Sequence, residues 1–104
     1  MTLYAQLRGE HPGRVYCSIS AYGKSGPRSG EGGFDLTIQA AAGVMSATGE
    51  EQGSPVKCGV PIADSATGLY GAYAVASALA AVRAGAPGVH IDVPIPAAGS
   101  RPAR

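Results

Sequence analysis

The sequence predicts an α/β fold, a βααβ unit in which two parallel strands enclose two helices. Three observations carry this expectation. Arg14-Val15-Tyr16-Cys17-Ser18-Ile19-Ser20 and Val89-His90-Ile91-Asp92-Val93 are short runs rich in β-branched and aromatic residues, with no helical period. Between them, Leu69, Tyr73, Ala76, Leu79 and Ala80 recur at helical spacing on one face. Strands separated by helices make a parallel pair joined by a crossover, and the right-handed form is the default.

The elements follow in order. Thr2 to Arg8 reads as a short helix, stopped by the Gly9 to Gly13 stretch with Pro12. The first strand covers Arg14 to Ser20, and its small residues suggest burial on both faces, as in a parallel sheet. Ala21 to Gly33 is a loop with five glycines and Pro27, after which Asp35 caps a helix reaching about Ala42 and ended by Gly43. A loop from Gly49 to Pro55 leads into a short extended run, Val56 to Ile62. Asp64-Ser65-Ala66-Thr67 opens the longest helix, with Arg83 at its end, where the helix dipole favours positive charge. Gly85-Ala86-Pro87-Gly88 turns the chain into the second strand. Residues 1–95 thus form one domain, and the Pro- and Arg-containing residues 96–104 are expected to be a disordered tail.

Composition makes this unit look unfinished. Of the 104 residues, 14% are charged, against about 25% in an ordinary soluble domain. Gly and Pro number 16 and 8, roughly twice the usual share. So few charges cannot solvate every face, and two strands alone leave both edges open. The remaining faces are therefore expected to be covered by a partner or a second copy.

Several function classes drop out. The net charge of +1 and the absence of a Lys/Arg stripe give no reason to expect nucleic acid. Met1 to Glu10 lacks the basic start and apolar run of a signal peptide. The most apolar stretch, Leu69 to Val82, is shorter than the ~20 residues of a membrane span. Cys17 and Cys58 fit neither a disulfide framework nor a metal spacing, so free, buried thiols in a cytoplasmic protein are expected, with no metal. His11 and His90 stand alone. Gly23-Lys24-Ser25-Gly26 imitates the end of a P-loop, but that motif needs Gly where Ser18 stands, and a helix where Pro27 and Gly30 follow.

Two residues remain. Asp35 and Asp64 both stand where helices are predicted to start. An Asp at an N-cap accepts backbone N–H bonds, worth about 1 kcal/mol, and pattern alone favours that role for both. The other reading makes Asp64 a carboxylate nucleophile, placed by its helix at the end of an extended segment. Attack on a thioester would expel a thiolate more basic than the carboxylate. That step runs uphill unless the site also holds the oxyanion and the thiolate.

A series of segments bears on this choice. Val15-Tyr16-Cys17-Ser18-Ile19-Ser20-Ala21-Tyr22-Gly23, Gly26-Pro27, Gly33-Phe34-Asp35 and Gln39-Ala40-Ala41-Ala42-Gly43 come first. Thr48-Gly49, Pro55-Val56 and Gly59-Val60-Pro61-Ile62-Ala63-Asp64-Ser65-Ala66-Thr67-Gly68 follow. In this order they resemble the family III CoA-transferases, the CaiB/BaiF type, over about residues 7–93. The resemblance implies a partial, Rossmann-like βααβ unit of that family's large domain. It also implies that Asp64 is the catalytic carboxylate, forming acyl-anhydride and aspartyl-CoA thioester intermediates as coenzyme A passes between carboxylic acids. Phe34 and Asp35 would line the site, and Tyr22, Gly23 and Gly26 would border the CoA pocket. Racemases of the same family place a His base at the position of Phe34; Phe cannot take a proton, so transferase chemistry is the closer match.

Family members are several times longer, and they bind most of the CoA and hold the oxyanion with regions outside the matched segment. The resemblance therefore implies a truncated or stand-alone segment that is inactive, or nearly so, by itself. Because full members form interlocked dimers, it also implies a homo-oligomer. The alternatives are an enzyme completed between subunits, a non-catalytic CoA-binding or assembly module, and, last, an acyl-CoA racemase.

Overall fold

The computed structural model describes residues 2–95, and the tail expected at 96–104 lies outside them. The element order is α1 (Leu3–Glu10), β1 (Tyr16–Ser20), α2 (Asp35–Ala41), a 3-10 turn (Val44–Ser46), α3 (Ile62–Arg83) and β2 (His90–Pro94). The strands pair in parallel, with Tyr16 opposite His90 and Ser20 opposite Pro94. The predicted βααβ order is therefore present, preceded by α1. The run Val56–Ile62 is not a strand. Its first residue is held against the 3-10 turn by Val56 N–H donating to Met45 O at 3.0 Å, and Ile62 already belongs to α3.

Local chemistry sets most boundaries. The Thr2 hydroxyl accepts from Ala5 N–H at 3.3 Å and caps α1. α3 ends in a paired closure: Gly85 N–H reaches Val82 O and Ala86 N–H reaches Ala81 O, both at 3.0 Å. That closure needs a left-handed residue, which Gly85 supplies at φ +99°.

The packing corrects one expectation and shows which way the face marked by helical spacing points. Strand β1 is not buried on both faces: its residues are half-buried and Ile19 is exposed. The face of α3 marked by Leu69 and Tyr73 points to solvent, with those side chains 74% and 75% exposed. Ala63, Thr67 and Gly71 are the buried residues of α3, one residue per turn. Small side chains let a helix approach its neighbours closely, so the large residues were left for the other side.

Among the described residues the buried apolar core is Ala21, Ile38 and Ala63, with Tyr22 and Ile95 packed against it. Gly33 sits beside it so closely that a Cβ there would meet Ala21 Cβ at 3.0 Å and Ile38 Cδ1 at 3.2 Å. Leu69, Tyr70 and Tyr73, with Ala66, instead line an open apolar hollow on the outside of α3. Cys17 and Cys58 are free and only half-buried. At 22 residues, α3 is longer than its apolar stretch and meets the length and composition of a membrane span, so length does not exclude one.

Candidate active site

The site is built where the N-termini of α2 and α3 meet. Pro61 is the N-cap of α3 and offers no side-chain acceptor. Asp64 is thus not the cap that the sequence suggests. It is the third residue of the helix, its carboxylate is exposed, and it makes no hydrogen bond among the described residues. The missing acceptor comes from elsewhere in the chain. Asp35 Oδ1 accepts from Ala63 N–H at 2.8 Å and from Asp64 N–H at 3.2 Å.

Asp35 likewise does not cap its own helix. Phe34 is the N-cap of α2, in extended conformation, and Thr37 closes that end: its hydroxyl accepts from Phe34 N–H at 3.0 Å and donates to Phe34 O at 2.8 Å. Asp35, first residue of α2, is thereby free to turn inward. It is buried, and its second oxygen accepts from the Gln39 amide one turn on. Gln39, wholly buried, accepts in turn from Cys58 N–H at 2.8 Å. One carboxylate and one amide thus hold three segments together: α2, the stretch before α3, and the first turn of α3.

Electrostatics decides the state of Asp35. Burial pushes its carboxyl up, but the Asp64 N–H, the Gln39 amide, the Ala63 N–H and the charge of Lys57 outweigh burial and hold it below its ordinary value. The folded chain therefore takes up this proton less readily than the unfolded chain. The stabilisation is complete above the unfolded carboxyl value of about 3.9 and is lost as pH falls through the lower folded value. Melting temperatures followed by circular dichroism between about pH 5 and pH 2 are expected to fall in that window, and to fall less in Asp35→Asn.

The first turn of α3 has no backbone donor to spare. Ile62 N–H goes to Val60 O at 2.8 Å, Ala63 and Asp64 N–H go to Asp35, and Ser65 N–H goes to Pro61 O at 2.9 Å. The turn can present the Asp64 carboxylate but cannot itself hold a developing oxyanion.

Of the residues singled out from sequence, Asp35 is bonded to the Asp64 backbone, and Phe34 precedes Asp35 as N-cap of α2. The Phe34 ring is exposed at 61%. Tyr22 packs against the cluster that contains Ala63. Gly23 lies instead against β2, where a Cβ would meet Pro94 and Asp92, and Gly26 faces open space. Sequence reasoning gave no role to Gln39, although its i,i+4 spacing from Asp35 was a signal for the bond it makes. It also missed the surroundings of His90. That ring is not alone: it meets Ser18 and Lys24 and lies 4.8 Å from the Tyr4 ring and 5.2 Å from the Tyr16 ring, centroid to centroid.

Comparisons with known proteins agree with one another. The sequence model of CoA-transferase family III matches residues 2–101. The succinate–glutarate CoA-transferase of Agrobacterium fabrum is 41% identical over 90 residues, covering 86% of this chain and 22% of that one. The human succinyl-CoA:glutarate CoA-transferase is 46% identical over 68 residues, 65% of this chain and 16% of that one. The crystal structure of a CaiB/BaiF family protein from Brucella suis superposes with a TM-score of 0.84 at 40% identity, over 88% of this chain and 24% of that one. The chain thus spans about a fifth of the length of these relatives.

Proposed function

Since the chain belongs to CoA-transferase family III, we propose that it is the segment of such an enzyme that presents the nucleophile, Asp64, through which CoA passes between carboxylic acids. The observation that carries this reading is an exposed carboxylate, unpaired among the described residues, on a helix turn fixed by a second, buried carboxylate. A structural Asp is expected to be consumed by its cap; here Asp35 does the capping and leaves Asp64 to react.

In the proposed chemistry Asp64 attacks the thioester carbon of an acyl-CoA, the C–S bond breaks, and CoA leaves as thiolate with an acyl–aspartyl anhydride behind it. The thiolate then attacks the Asp64 carbonyl, giving an aspartyl-CoA thioester and releasing the first acid. The acceptor carboxylate and the thiolate repeat these two steps in reverse order, and Asp64 is regenerated. Phe34, N-cap of α2 with an exposed ring, would offer the substrate an apolar wall, and Tyr22 packs on the core that holds Ala63. Phe34 has no proton to exchange, and the relatives compared above are named as transferases; both support transfer over racemisation.

The 104 residues are inactive alone in this reading. The first turn of α3 holds no free N–H for the oxyanion, and losing such donors typically costs about 10²–10³ in rate. Residues 1–95 are then part of a larger Rossmann-like domain, in which α3 is a core helix and not a membrane span. Its exposed Leu69, Tyr70 and Tyr73, and the open strand edges, are covered on assembly of a homo-oligomer, and a folded monomer in sedimentation at micromolar concentration would contradict that. Free Cys17 and Cys58 suit a cytoplasmic location.

A segment exchange tests the proposal. The 90 matching residues of the Agrobacterium enzyme are replaced by those of this chain, and transfer from succinyl-CoA to glutarate is measured, because the relatives are named for those acids. The chimaera is expected to retain activity within about tenfold of the parent. A soluble, folded chimaera without activity would count against the proposal.

A further inference from the structure

Pleat alternation and register place Tyr16, Ser18 and Ser20 of β1 on the same face as His90 and Asp92 of β2. On that face four side chains form a network, none of them hydrogen-bonded to Asp64. Ser18 Oγ lies 2.8 Å from His90 Nε2 and 3.2 Å from Asp92 Oδ1. Lys24 reaches back from the loop after β1 twice: its backbone N–H donates to Asp92 Oδ2 at 3.1 Å, and its ammonium lies 3.1 Å from His90 Nε2. One residue earlier, Gly23 N–H donates to Ser20 Oγ at 3.1 Å.

The donors and acceptors of this network can be counted. An ammonium has no lone pair, so where it bonds His90 Nε2 that nitrogen accepts. The Nε2 lone pair is then contested by the Lys24 ammonium and the Ser18 hydroxyl. When Lys24 holds it, Ser18 turns its proton to Asp92. In both arrangements Asp92 Oδ2 keeps the Lys24 backbone N–H. Asp92 is therefore the fixed member, and the other three exchange hydrogen bonds around it.

We propose that Asp92 latches the Tyr22–Pro27 loop onto β2 and, in so doing, positions that loop for acyl-CoA. The latch stands on the geometry above; its connection to the ligand rests on the family reading of Tyr22, Gly23 and Gly26 as the border of the CoA pocket. Asp92 touches no reacting atom in this scheme and is a positioning residue.

Two measurements test the two halves separately. In the 104-residue chain, amide hydrogen exchange is followed at Lys24, with the amides of α2 and α3 as the internal control for folding. Asp92→Ala is expected to speed exchange at Lys24 about tenfold, since a charge-assisted bond is lost, and to leave the helices unchanged. Asp92→Asn is expected to restore most of the protection, because the amide oxygen still accepts. Ser18→Ala, which leaves the Lys24–Asp92 bond in place, is expected to change it little. Equal exchange at Lys24 in the wild type and Asp92→Ala would overturn the latch. In the chimaera, Asp92→Ala is expected to raise KM for succinyl-CoA about tenfold with kcat within twofold, the pattern of lost binding rather than lost chemistry. Faster exchange with unchanged KM would remove the loop from the CoA pocket. A folded but inactive chimaera would count against the proposed function, while the exchange measurement still decides the latch.

Discussion

Asp64→Asn in the chimaera is expected to lower CoA transfer at least about 10⁴-fold, the scale on which an enzyme loses its nucleophile. The amide keeps the shape of the carboxylate but cannot attack a thioester carbon. Intact mass after incubation with succinyl-CoA should show an adduct on the parent chimaera and none on the variant. Stability gives the contrast that makes the result interpretable. The Asp64 side chain is exposed and makes no hydrogen bond among the described residues, so its loss removes only its interaction with the helix dipole, about 0.3–1 kcal/mol. The melting temperature should therefore move by no more than roughly 5 °C. Transfer within tenfold of the parent, with the adduct still present, would sink the nucleophile assignment.

Asp35→Ala should show the opposite pattern in the 104-residue chain, with a melting temperature lower by roughly 15 °C or more. The variant strips the acceptor from Ala63 N–H, Asp64 N–H and the Gln39 amide at once, and Gln39 is wholly buried. Orphaned buried donors carry their full desolvation penalty, which makes such deletions more damaging than the bonds' net worth suggests. Asp35→Asn should recover about half of the loss. Its oxygen can still cap α3, but its NH₂ then confronts the NH₂ of Gln39, and Gln39 cannot turn without abandoning Cys58 N–H. A drop of only a few degrees in Asp35→Ala, measured by circular dichroism, would show that water replaces the carboxylate and that the site is not held by it.

The strands, the helices and the Gly85 closure were legible because each is governed by neighbours in sequence: β-branched runs, helical spacing, a glycine where the backbone must turn left-handed. The same locality explains the errors. Asp35 and Asp64 both look like caps of the helices they open, and a rule confined to flanking residues has no means of letting one helix borrow its cap from another. Phe34, with no side-chain acceptor, and Thr37, which closes α2 in its place, were the local signs that Asp35 is free. The outward turn of Leu69 and Tyr73 was illegible for a different reason. Helical spacing identifies a face but not what the face meets, and in this chain a stripe of Ala, Thr and Gly packs more closely than Leu and Tyr could. His90 was read as isolated because Ser18 and Lys24 are distant in sequence and adjacent only once the strands pair. The identity of the segment came through most clearly, since an ordered series of short blocks survives where individual side-chain contacts cannot be foreseen.

The borrowed cap also orders events in folding. Starting a helix is its costly step, and an end without a partner for its N–H groups frays. The acceptor for the first turn of α3 lies 28 and 29 residues upstream of the groups it binds, so that turn closes only when the intervening chain has already folded back. The Ala-rich body of α3 needs no such help and can form early. The turn that bears Asp64 therefore depends on a loop closure that the body of its own helix does not need, and the carboxylate takes up its place only once α2 has docked.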